Sequence, residues 1–134
     1  MSDPVDWVLD TNVIIHAIRG DAVVRRRLAG SPIARLVVTA ITVAELEYGS
    51  LRSPTPDRHR SRWRHAISNY RILPFPADAS LHHARIRLHL RQKPIGERDL
   101  MIAAIALAHG CGVVTNNRAE FKRVPGLRVE DWTG

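Results

Sequence analysis

Five short apolar runs, separated by segments of helical character, leave this chain few folds to choose from. The runs are Val5 to Leu9, Leu36 to Thr39, Arg71 to Leu73, Val113 to Thr115 and, at an edge, Leu127 to Val129. The segments between them read as helices. Val13, Ile14, Ala17 and Ile18 form one apolar face after a cap at Thr11 or Asn12, and Gly20 stops that helix. A second helix runs from an N-cap at Asp21 to Ala29, with Gly30 beyond it. Thr42 and Glu45 have capping-box spacing and open a third helix, ending near Gly49. Thr55-Pro56 opens a fourth, whose face carries Trp63, Ala66, Ile67 and Tyr70. Asp78 opens a fifth, to about Arg91, and a long apolar helix from Asp99 to His109 is closed by Gly110. Strands alternating with helices imply an α/β fold whose parallel sheet is covered on both faces. The 134 residues fit one domain, 1–134, with room for a real core. No internal repeat, linker or low-complexity segment interrupts it.

Composition removes several classes. The single cysteine, Cys111, has no partner for an internal disulfide and no neighbouring cysteine for a metal site, so it reads as structural in a reducing compartment. The N-terminus lacks the basic and apolar regions of a signal peptide, and no apolar run reaches the roughly 20 residues of a membrane span. A cytoplasmic protein is expected. The 20 Lys and Arg against 13 Asp and Glu give a net charge of +7, which favours a polyanionic partner.

In a parallel sheet the C-terminal ends of strands and the N-terminal ends of the following helices share one edge, where ligands of open α/β sheets bind. Asp10 ends the first strand. Glu45 lies in the first turn of the helix after the second. Asp99 starts the helix before the fourth, and Asn116, Asn117 and Glu120 follow the fourth strand. Each acid alone has an ordinary reading as a cap, a helix-dipole partner or a solvated surface group. Their joint placement at one edge is what independent caps do not require. Carboxylates gathered there repel unless they take up protons or a cation. Oxygen-only ligands select hard ions, Mg²⁺ or Mn²⁺, and such ions support phosphodiester chemistry. Arg58, Arg60, Arg62 and Arg64 are dense on the solvated sides of the fourth helix. They are candidate RNA-phosphate contacts, although such a face is also ordinary solvated surface.

At these residues the sequence resembles the PIN-domain proteins, specifically the VapC toxins of toxin–antitoxin pairs. The matching pieces are Leu9 to Ile14 (LDTNVI), Thr42 to Gly49 (TVAELEYG), Ile95 to Ala104 (IGERDLMIAA), Val114 to Phe121 (VTNNRAEF) and the tail from Arg123 to Trp132. The resemblance implies a three-layer α/β/α PIN-like fold with a central, mostly parallel sheet of four to five strands. It implies Mg²⁺- or Mn²⁺-dependent endoribonuclease activity, with Asp10, Glu45 and Asp99 as metal-binding catalytic acids. The family's fourth acid varies, and Glu120 and Asn117 both fit. Glu120 is favoured as the only carboxylate in its stretch. Asn12 and Thr115 match supporting positions. A cognate antitoxin whose C-terminal segment covers the site, and a homodimer, are also implied. Two readings stay open beside this one: a PIN-domain RNA-processing nuclease outside toxin–antitoxin biology, and an inactive PIN module that only binds RNA or a partner. A phosphatase of the haloacid dehalogenase type would need a second aspartate where Asn12 stands. A receiver domain would need paired acids near the N-terminus and a lysine after the last strand, and the Asp3-Asp6 pair stands in the wrong place.

Overall fold

The computed structural model describes residues 6–132. Its five strands are β1 (Trp7–Leu9), β2 (Leu36–Thr39), β3 (Arg71–Leu73), β4 (Gly112–Val114) and β5 (Val129–Glu130). All neighbouring strands run parallel, in the order β3-β2-β1-β4-β5. The sheet is thus wholly parallel where the sequence implied a mostly parallel one. Val5, the expected start of the first strand, lies outside the described residues.

The helices are α1 (Thr11–Ile18), α2 (Ala22–Ala29), α3 (Ala40–Leu51), α4 (Pro56–Ile67), α5 (Ala79–His89), α6 (Glu97–Ala108) and the short α7 (Arg118–Phe121), with a 3-10 turn at Ile33–Arg35. Side chains alternate across a strand, so the sheet feeds two separate cores. Val8, Val37 and Val113 pack on one face against Ile86 of α5 and Ile102 and Ile105 of α6. Leu9, Leu36, Val38 and Val114 pack on the other against Ile14, Leu46, Trp63 and Ile67 of α1, α3 and α4. That arrangement is the three-layer α/β/α architecture.

Several helix starts differ from the sequence reading. Neither Thr11 nor Asn12 caps α1: Asp10 does, its Oδ1 accepting from the Thr11 N–H at 2.8 Å. Thr42 does not open α3, because β2 runs into the helix without a loop and Thr39 is the cap, its hydroxyl accepting from the Thr42 N–H. Glu45 therefore stands in the second turn rather than the first. Helix α6 begins two residues before Asp99, at Glu97. Gly20 and Gly110 end α1 and α6 with φ of +90° and +68°, a region that L residues resist. Among the described residues no helix is long and apolar enough to cross a membrane.

Candidate active site

Strand order reverses between β1 and β4, since successive connections leave β1 first toward β2 and later return to its other side. Crevices at such switch points collect the ligands of open α/β sheets. Asp10 follows β1 and Thr115 follows β4, and the ladder continues past β1: the Asp10 N–H donates to the Val114 carbonyl at 2.9 Å. The Asp10 carboxylate is 4% exposed and is held from two sides. Besides the Thr11 N–H on Oδ1, the buried Thr115 hydroxyl donates to Oδ2 at 2.7 Å. Thr115 Oγ1 in turn accepts from the Asn117 N–H at 2.9 Å. One buried hydroxyl thereby fixes both Asp10 and the loop that carries Asn117.

Asn117 passes the order on, its side-chain amide donating to Asp99 Oδ2 at 2.8 Å. On the far wall Thr11 Oγ1 sits 2.9 Å from Glu45 Oε1 and 3.0 Å from Thr42 Oγ1. A hydroxyl has one proton and Glu45 as a carboxylate can only accept, so Thr11 donates to Glu45 and accepts from Thr42. Arg98 Nε lies 3.8 Å from the other Glu45 oxygen. Asp10, Glu45, Asp99, Asn12 and Asn117 all line one open cleft of about 510 Å³, with Glu97 and Arg98.

The electrostatics are those of acids brought together against their preference. Burial pushes Asp10 above its ordinary range, the bonds from Thr115 and Thr11 pull it back, and the charge of Glu45 pushes it up again. Asp99 is pushed up to about 6, first by burial and then by the charge on Asp10. Glu120 adds to that push, while the Asn117 bond and Arg98 oppose it.

Such a donor set, all oxygen with excess negative charge, fits a hard divalent cation. Among the described residues no three His, Cys, Asp or Glu side chains are gathered tightly enough to hold one ion by themselves. Mg²⁺ does not require that, because it keeps several waters and is usually held by one or two carboxylates. Asp10 and Asp99 would be the principal ligands, with Glu45 across the cleft.

The remaining sequence candidates divide. Glu120 is not among the lining residues: its Oε2 accepts from the Gly96 N–H at 3.4 Å, and it acts on Asp99 through its charge. Asn12 is exposed where two clefts meet. Asn116 faces His16 instead of the acids. Of the four arginines, Arg60 and Arg64 both reach Glu47, at 2.7 and 3.7 Å, Arg58 is exposed, and Arg62 lines a second cleft beside Glu45. Thr11 and Thr42 were missed as functional groups. The only signal for them was a threonine one residue after the acid of the first strand and another three residues before Glu45.

The PIN domain family matches residues 7–127 of the chain. Over 128 residues the chain is 38% identical to the tRNA(fMet)-specific endonuclease VapC of Salmonella typhimurium, covering 94% of this chain and 97% of that protein. Among solved structures it resembles DNA-bound VapBC from Salmonella typhimurium with a TM-score of 0.88 and 37% identity, over 96% of this chain and 99% of that one. It also resembles VapBC2 from Rickettsia felis bound to a promoter DNA fragment, with a TM-score of 0.85 and 32% identity, over 94% of this chain and 98% of that one.

Proposed function

The chain belongs to the PIN-domain family, among its VapC proteins, and from that premise we propose that it is a divalent-cation-dependent endoribonuclease acting as the toxin of a toxin–antitoxin pair. The observation that carries this reading is the lining of one cleft by Asp10, Glu45 and Asp99 at the β1/β4 switch point, with two of the three held above their ordinary pKa. A site left to protein alone would not assemble acids at such a cost; a cation that binds there and a phosphodiester that follows it account for the arrangement. When bound, Mg²⁺ or Mn²⁺ would stabilise charge on the phosphoryl oxygens.

The chain's own residues do the positioning. Thr115 holds the buried Asp10 carboxylate at one angle, and Asn117 holds Asp99 from the neighbouring loop. Thr11 keeps Glu45 facing them across the cleft. Glu120 raises the local negative potential behind Asp99, so its role is to tune Asp99 and the cation's attraction to it. Two solved relatives are VapBC complexes, which supports a cognate antitoxin as the protein partner.

The test is cleavage of a labelled RNA by purified protein in Mg²⁺ or Mn²⁺, with EDTA as the blank. Asp10→Asn keeps the shape and the capping acceptor and removes one ligand charge. Activity should fall by orders of magnitude while the fold survives, and cleavage near the wild-type rate would sink the assignment.

A further inference from the structure

Beside the acidic site a larger cleft of about 630 Å³ runs between α1, α3 and α4. Along α3, Glu45, Tyr48, Gly49 and Arg52 recur at i, i+3, i+4 and i+7, so one helix face leads away from the acids. Seven residues at 1.5 Å each make that face about 10 Å long. Arg52 stands at its far end, 4.8 Å over the Tyr48 ring. Arg19, the residue that ends α1, and Arg62 of α4 come in from the two walls. Among the described residues no acid forms an ion pair with Arg19, Arg52 or Arg62, whereas Glu47 occupies their neighbours Arg60 and Arg64. The cleft is therefore acidic at one end and carries three uncompensated cations beyond it.

His59 adds a directed donor to the same wall. The Trp63 indole N–H can only donate, and it donates to Ser50 Oγ at 2.9 Å. Ser50 is fully buried, and among the described residues the acceptor within reach of its own proton is His59 Nδ1, at 2.8 Å. A neutral His59 then carries its proton on Nε2, on a ring that lines the cleft next to Gly49. Sequence patterning gives Ser50 and His59 no such link, since they lie nine residues apart across a turn.

We propose that this cleft holds the sugar–phosphate backbone of the substrate RNA on one side of the scissile bond, with Arg19, Arg52 and Arg62 on phosphates and the His59 Nε2–H as a positioning donor to a backbone oxygen. The proposal rests on the ribonuclease reading. A single strand suits the dimensions: about 10 Å accommodates about three stacked steps of about 3.4 Å, and unpaired segments are where proteins read RNA. The three cations also offset the repulsion that the acids impose on an approaching polyanion.

The test is binding of a fluorescein-labelled, mixed-sequence single-stranded RNA to the full chain in EDTA, followed by anisotropy over a range of salt. Each phosphate contact contributes about −0.7 to the slope of log affinity against log salt for a single strand. The triple variant Arg19→Gln, Arg52→Gln, Arg62→Gln should flatten the slope by about 2. A control that removes equal charge elsewhere, Arg26→Gln, Arg27→Gln, Arg85→Gln, should leave it unchanged. Unfolding midpoints check both; if the triple does not fold, Arg62→Gln alone should flatten the slope by about 0.7. His59→Phe should raise KM for cleavage several-fold with kcat nearly constant, and His59→Gln, which keeps a donor, should recover part of it. An unchanged slope in the cleft variant, or equal flattening in the control, overturns the proposal. Should the cleft variant lose antitoxin binding with its RNA slope intact, the cleft belongs to the antitoxin. The wild type's own cleavage in Mn²⁺ is read separately: RNA binding with the expected slope but no cleavage defeats the nuclease reading and leaves the cleft's assignment standing.

Discussion

Neutralising Asp99 should make the metal-free protein more stable while abolishing its activity. Asp99 has an ordinary pKa of 3.8 and titrates here at about 6, chiefly because of burial and the charge on Asp10. Each pKa unit corresponds to about 1.4 kcal/mol, so holding Asp99 ionised would cost the folded state about 3 kcal/mol in full. The carboxylate is only half-buried, and solvent screening brings the figure to about 1–2 kcal/mol. The sign follows from linkage. A group whose folded pKa is raised favours the folded state fully below its unfolded pKa and loses that advantage as pH rises through the folded value. Wild-type stability in EDTA should therefore decline between about pH 4 and pH 6, with Asp10 contributing in the same direction. Asp99→Asn keeps an acceptor for the Asn117 amide and removes the charge. Thermal melting in EDTA at pH 7.5 should rise by about 4–8 °C, taking about 4 °C per kcal/mol for a domain of this size. The variant should also lose most of the stabilisation that Mn²⁺ gives the wild type, which at one hundred times Kd is about 2.7 kcal/mol. If wild-type melting in EDTA is flat from pH 4 to 7, and Asp99→Asn melts no higher at pH 7.5, the charge on Asp99 is not held at a cost and the argument for a cation fails.

Three further outcomes follow from named contacts. Thr115→Val, nearly isosteric, removes the donor to Asp10 and orphans the Asn117 N–H; urea unfolding should show a loss of about 2–4 kcal/mol, greater at pH 8 than at pH 4 because the lost bond favours the charged form of Asp10. Glu120→Gln should lower the Asp99 pKa seen by carboxylate NMR and reduce cleavage less than Asn117→Ala does, because Asn117 holds Asp99 directly while Glu120 acts only through charge; the opposite order would make Glu120 a ligand. Gly112→Ala places a Cβ 2.5 Å from Trp7 Cζ3 and 3.1 Å from the Arg128 carbonyl, which should cost about 1–3 kcal/mol in a urea melt, and a neutral substitution would mean that Trp7 moves freely.

The layered fold and the edge that carries the acids were legible because both follow from period and order. Runs such as Leu36 to Thr39 are too short and β-branched for helices, and a parallel sheet leaves no choice about which ends meet. Asp10, Glu45, Asp99 and Asn117 came to one cleft for that reason alone. Helix starts were less legible. Thr39 and Thr42 lie three apart, and either could cap α3 in the sequence; the absence of a loop after β2 decides for Thr39, and that is a property of the chain's path. Glu120 illustrates a related ambiguity. Its distance in sequence from Thr115 placed it at the correct edge, but its carboxylate accepts from the Gly96 N–H and is not among the groups that line the cleft.

The arginines of α4 show where density in sequence stops being informative. Arg58, Arg60, Arg62 and Arg64 look equivalent along the chain, but at 100° per residue Arg58 and Arg62 lie about 40° apart on one flank of the helix and Arg60 and Arg64 about 40° apart on the other. What decides which flank is paired is a single acid on another helix. Glu47 of α3 takes Arg60 and Arg64, and nothing about Glu47 in the sequence marks it for that purpose. Arg62 is left facing the cleft, where Arg19 and Arg52 arrive from the ends of two other helices. A cationic surface for a polyanion is thus a matter of which charges remain unpaired after folding. Arg19, Arg52 and Arg62 come from three elements and share no sequence window, so only the packing of α1, α3 and α4 around Leu46 and Trp63 brings them together.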